Sequence, residues 1–148
     1  MPRLLAISLL VLLFSCDSKR TTNRNPFLQE VNFRFDINTN LPSYNSLTNE
    51  GGAIYVDNLQ AGTSGVFVIK TISAFSGYRV FEASCPNHSP NDCSTMTLKG
   101  NVVSCPCEDY EYTLFTGQLL NRPDDENRYY DLLEYRAVGS GNTIILSN

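Results

Sequence analysis

Cysteines are the residues of this 148-residue chain whose type and spacing point most directly to chemistry. Four of the five fall in two short segments, Cys85-Pro-Asn-His-Ser-Pro-Asn-Asp-Cys93 and Cys105-Pro-Cys-Glu-Asp-Tyr-Glu-Tyr112. Two cysteine-bearing loops about twenty residues apart suit an iron–sulfur or metal site, or a disulfide clasp, and their spacing leaves these open. His88, the one histidine of the chain, lies in the first segment, and Glu108 and Asp109 lie in the second. By residue type alone, His88 reads as a surface-loop histidine and the two acids as solvated loop residues. No Cys-x-x-Cys is present, and a bridge inside Cys105-Pro-Cys107 would be strained, so an exchangeable thiol switch is the weakest of the redox readings. A single histidine gives no basis for a Ser-His-Asp triad.

The elements that must position these loops read as strands. Residues 31–37 alternate apolar and polar side chains, as a half-buried strand does, and 53–56, 65–72 and 78–83 are further strand runs. The run 78–83 leads straight into Cys85. Residues 95–98 and 102–103 flank Lys99-Gly-Asn101 as a hairpin before the second cysteine loop, and 111–115 follows that loop. Gln118 to Leu120, 130–138 and 143–146 complete the strand-like runs, with a turn region over 121–127. The stretch 41–47 is broken by Pro42 and turn residues. No segment beyond the N-terminus sustains a helical period, so the chain is read as all-β. The acids Asp124, Asp125 and Glu126 read as a hydrated turn, and Tyr129 and Tyr130 as strand packing.

The first residues carry a different message. Arg3 precedes an apolar run over residues 4–14 that is short for a bilayer span, and the run ends at Ser15-Cys16. This resembles a bacterial lipoprotein signal. The expected organisation is a signal peptide over 1–15, a lipidated Cys16 with a polar tether over 16–26, and one β domain over 27–148. Acyl chains on Cys16 would hold the domain to a membrane on the exported side, periplasmic or outer, where thiols oxidise. Removing Cys16 leaves four cysteines with three pairings. A formal net charge of −4 with scattered Lys and Arg argues against nucleic-acid binding.

Residues 53–146 resemble a Rieske domain. Cys105-Pro106 matches the start of that family's second loop, Tyr112 falls in its aromatic region, and Thr116-Gly117 falls in its turn. The strand into Cys85, Pro123 and the closing strand to Leu146 also match. Such domains hold a [2Fe–2S] cluster between two loops, with two Cys on one iron and two His on the other. The resemblance therefore implies an antiparallel β-sandwich or barrel with two Cys loops clasped together. It also implies Cys85 and Cys105 as thiolate positions. Without a gap, Asn87 takes the first histidine position; one extra residue brings His88 there and leaves sixteen residues before Cys105. Glu108 stands at the second histidine position and Asp109 at the usual glycine.

Respiratory-type members of that family carry one further Cys in each loop, joined as a disulfide. This implies Cys93–Cys107, and an empty site would leave Cys85 and Cys105 close enough for a second bond, Cys85–Cys105. The resemblance with its missing imidazole leads to a Rieske-fold envelope lipoprotein without its cluster, a disulfide-stabilised binding or structural module and not an enzyme. The expected cofactor is none. The alternative is an electron-transfer protein holding an atypically ligated [2Fe–2S] cluster on Cys85, His88, Cys105 and Glu108, at most a component of an oxidoreductase system. The expected partners are a membrane, through the N-terminal lipid, and an envelope protein that the sequence does not identify.

Overall fold

The computed structural model describes residues 25–72 and 74–148. The signal segment, Cys16 and the tether to residue 24 lie outside the described residues. Among the described residues, no helix is long and apolar enough to cross a membrane.

The strands are β1 (Arg34–Asn38), β2 (Ala53–Val56), β3 (Val66–Lys70), β4 (Tyr78–Glu82), β5 (Thr97–Lys99), β6 (Val102–Ser104), β7 (Glu111–Thr113), β8 (Glu134–Ser140) and β9 (Thr143–Ser147). They form a six-stranded sheet ordered β1-β9-β8-β4-β3-β2 and a three-stranded sheet ordered β5-β6-β7. All named pairings are antiparallel. The only helical element described is a 3-10 helix (Pro42–Thr48), which Pro42 opens and which buries Leu47. Pro fits there because its fixed φ suits a first turn and its missing N–H is not needed.

Strand β3 explains how two cores share one sheet. Its residues alternate faces with period two: Phe67 and Ile69 enter one apolar cluster, Val66 and Val68 the other, and all four are fully buried. The Val66 and Val68 face packs with Ile37 of β1 and Ile144 and Leu146 of β9. The sheet therefore curls, so that its far strands cover its own centre. The Phe67 and Ile69 face packs with Val103, Tyr112, Leu114, Cys85 and Cys105, which places the small sheet and both cysteine loops over it.

Turn chemistry orients the small sheet. Lys99 pairs with Val102, and Gly100 takes φ +64 in the two-residue connection, a conformation that favours glycine. Gly117 has φ +80, and a Cβ there would lie 2.8 Å from the Phe81 ring, so the Thr116-Gly117 turn fits only without a side chain.

Several strand bounds shift, 31–37 to Arg34–Asn38 among them, and two of the shifts bear on the loops. The strand expected over 130–138 begins at Glu134, because Tyr130 N–H goes to Asn87 Oδ1 (2.7 Å) and Leu132 N–H to the Gly117 carbonyl (2.8 Å), and only the Leu133 carbonyl, accepting from Glu82 N–H (2.9 Å), joins the β4 register. Gln118 to Leu120 contributes an isolated bridge, Leu119 to Tyr112, in place of a strand.

Candidate metal centre

Each cysteine loop is closed by its own backbone. In the first, Cys85 N–H donates to the Ser94 carbonyl at 2.8 Å, Met96 N–H to the Ala83 carbonyl at 2.9 Å, and Ser84 bridges Thr95. Asn91 folds the far end, accepting from Cys93 N–H at 2.9 Å. In the second, Cys105 N–H donates to the Tyr110 carbonyl (2.8 Å) and Asp109 N–H to the Cys105 carbonyl (2.9 Å). That tight closure requires a left-handed residue, and Asp109 supplies it at φ 56. Asp is among the few non-glycine residues that adopt this region readily, so it serves where the resembling family carries glycine.

The loops are joined by a disulfide between Cys93 and Cys107, with S–S 2.05 Å and Cα–Cα 5.5 Å. Cys85 and Cys105 are both buried and free. The expected Cys85–Cys105 disulfide is therefore corrected here. The physical reason is that His88 and Glu108 reach the same place and engage the sulfurs. Glu108 Oε2 lies 3.1 Å from Cys105 Sγ and 3.8 Å from Cys85 Sγ, while His88 Nε2 lies 3.4 Å from Cys105 Sγ and 3.2 Å from Glu108 Oε2. One donor atom from each of the four residues lies within 4.8 Å of every other.

The thiols share one proton economy. A hydrogen bond from Cys105 holds the Cys85 thiol below its ordinary value, with help from the Asn87 backbone and the Tyr112 hydroxyl, against the opposing effect of burial. The same bond, together with burial, pushes Cys105 far up. Burial pulls His88 down, but the Ser89 carbonyl, the Cys105 sulfur and the Glu108 carboxylate outweigh it and raise it overall. The cysteines are closed off from solvent, whereas the His88 and Glu108 side chains keep 15% and 35% exposure, so the site opens on the Glu108 side.

Asn87 does not enter the site. Its amide donates to the Tyr112 hydroxyl (2.8 Å) and the Tyr130 carbonyl (2.9 Å) and accepts from Tyr130 N–H (2.7 Å), which fastens the first loop to the chain before β8. The first loop thus presents His88, the residue reached by admitting one extra position. Of the other residues noted in the sequence, Asp125 turns back on Asn127 and Tyr129, and Tyr129 packs edge-on against Tyr110 at 5.6 Å. The arrangement also contains a residue the sequence reading overlooked. Glu82 at the end of β4 is fully buried and accepts from Thr63 N–H (2.7 Å), Ser64 N–H (3.0 Å), Ser84 N–H (3.0 Å) and the Tyr135 hydroxyl (2.7 Å). It ties the segment entering Cys85 to the loop before β3. Nothing local sets Glu82 apart in Tyr-Arg-Val-Phe-Glu, since its partners come from distant parts of the chain.

No known family model matches this chain, and no curated protein matches it in sequence. Solved structures do match its fold. The apo form of the quaternary ammonium Rieske monooxygenase CntA is similar with TM-score 0.51 and 12% identity over 82% of this chain and 34% of that one. The same monooxygenase in complex with an inhibitor gives TM-score 0.51 and 14% identity over 80% of this chain and 31% of that one. The plasma membrane Rieske protein PetC3 of Synechocystis PCC 6803 is 22% identical over 66% of this chain and 87% of that one, with TM-score 0.46. The chain spans about a third of the length of the monooxygenase it matches. The fold is Rieske-like: almost all β, antiparallel and curled, with the two cysteine loops at one end.

The group this fold implies is a [2Fe–2S] cluster, and the donors here do not fit its usual ligation. Two imidazoles are required on one iron, and the chain has one histidine. A carboxylate, Glu108, stands with that single imidazole and the two thiols, all four donor atoms within 4.8 Å of one another.

Proposed function

We propose that this protein is an envelope lipoprotein whose Rieske-like domain has exchanged the two-iron cluster for a clamped, cluster-free binding site, acting as a binding or structural module and not as an enzyme. The observation that carries this reading is the donor set itself: Cys85, His88, Cys105 and Glu108 converge, with a carboxylate where a second imidazole would be needed. The Cys93–Cys107 bond supports it, because a covalent clasp holds the loops together whatever lies between them. The apolar run ending at Ser15-Cys16 supports an acyl anchor on Cys16, with the domain over 27–148 on the exported side and an envelope protein as its partner.

Convergence of both thiols favours one second reading, an electron-transfer protein with an atypically ligated [2Fe–2S] cluster on the same four residues. Anaerobic extraction of the full chain, followed by its visible spectrum, iron and acid-labile sulfide, separates the two. The proposed function predicts a chain without the charge-transfer colour of iron–sulfide and without labile sulfide. Two irons and two sulfides per chain would establish the second reading in its place. Fatty-acid labelling of cells checks the anchor: label in this protein, lost in Cys16→Ser, is the expected outcome.

A further inference from the structure

We propose that Cys85, His88, Cys105 and Glu108 form a tetrahedral site for a single divalent transition-metal ion of the zinc class, which joins the two loops. This rests on the reading above that no two-iron cluster is held, and names what the site binds instead.

Distances carry the argument. Around one ion with metal–ligand bonds of about 2.0–2.3 Å, the edges of a tetrahedron are about 3.3–3.8 Å. Four of the six edges are 3.1, 3.2, 3.4 and 3.8 Å. The remaining two are no longer than 4.8 Å, so closure on one ion needs a movement of about 1 Å or less. Two thiolates, an imidazole and a carboxylate oxygen are each ordinary zinc donors, and thiolates bias the set away from magnesium and calcium.

The surroundings are built for such an ion. His88 Nδ1 lies 2.9 Å from the Ser89 carbonyl oxygen. Donation of that N–H fixes the ring and leaves the Nε2 lone pair facing the other three donors, the usual support of a metal-bound imidazole. Asn87 and Tyr112 brace the Cys85 side, with the Tyr112 hydroxyl 3.9 Å from Cys85 Sγ. The Cys93–Cys107 bond fixes the loop spacing, so only side chains have to settle on the ion. Binding displaces the protons carried by the thiols and needs no oxidant or reductant. Occupancy also keeps Cys85 and Cys105 from oxidising to each other on the exported side.

The test uses the untagged full chain, extracted in mild detergent under anaerobic conditions. Metal analysis is expected to give one zinc-class ion per chain and no labile sulfide. Exchange for Co2+ should produce thiolate-to-cobalt charge-transfer absorption with tetrahedral ligand-field bands, and Zn2+ should shield two thiols from alkylation. His88→Ala and Glu108→Gln, both partly exposed positions, should weaken Co2+ binding by at least about 10-fold, while an Asp124→Asn, Asp125→Asn control leaves it unchanged. Equal loss in the control, or a metal-free chain that takes up no Co2+ while its two thiols are free, overturns the inference and leaves the cluster-free reading standing. So does a Cys85–Cys105 disulfide found by peptide mapping. Two irons with two sulfides overturn both.

Discussion

Glu82 and Glu108 are two carboxylates in one fold with opposite surroundings. Glu82 is sealed in the body of the curled sheet, where three backbone N–H groups and a tyrosine hydroxyl complete its charge. Glu108 sits at the open edge of the loop end and faces two sulfurs and an imidazole. A carboxylate ringed by donors is finished and acts as a fastener. A carboxylate grouped with other lone-pair donors is unfinished, and only protons or a cation can complete it. The contrast separates what holds the domain from what the domain can hold.

Removing each carboxylate tests that contrast most severely. Glu82→Ala strands four donors and is expected to cost about 4 kcal/mol or more, enough to prevent folding of a domain of this size. Glu82→Gln keeps the shape but loses the charge-assisted bonds and puts an amide N–H against donors, for a cost of about 2 kcal/mol. Both are read from denaturant midpoints. A Glu82→Ala protein as stable as the parent would break the distinction.

The clasp comes next. Cys93→Ser with Cys107→Ser opens a loop with a sequence separation of 14 and should cost about 3 kcal/mol on chain-entropy grounds. Its loss should also weaken Co2+ uptake, because the loops lose their fixed spacing. Asn87→Ala removes two hydrogen bonds between the first loop and Tyr130 before β8 and a third to the Tyr112 hydroxyl of β7, an expected loss of about 1–2 kcal/mol by thermal melting. Asn87→His should bring no second imidazole to the site, since position 87 points into those bonds. The smallest effect is expected for Glu108→Ala in the metal-free chain, within about 0.5 kcal/mol, because the side chain is partly exposed and completes no donor shell. The same variant should abolish the rise in melting temperature that Zn2+ gives the parent.

The loop end was legible only through the Rieske resemblance, which offered Cys85, His88, Cys105 and Glu108 as one possible donor set. Residue type alone read His88 and Glu108 as surface-loop residues. The strands 53–56 and 78–82 were legible as short strand-like runs between turn residues, and the hairpin after β5 from its Lys99-Gly-Asn101 turn. What escaped depends on contacts across the chain. Glu82 looks like any strand acid until Thr63, Ser64 and Tyr135 arrive around it from 18 or more residues away. The late start of β8 has the same origin, since the bonds that divert residues 130–132 come from Asn87 and Gly117. The free state of Cys85 and Cys105 was missed because the resemblance, taken with an empty site, left the two sulfurs facing each other and gave His88 and Glu108 no part beside them.

X-ray absorption at the metal edge of the anaerobically purified full chain tests the central claim most directly, because it reads the number and kind of atoms around the ion. The account predicts two sulfurs at about 2.3 Å, two nitrogen or oxygen atoms at about 2.0–2.2 Å, and no second metal in the scattering. An iron edge with a short iron–iron vector would contradict it.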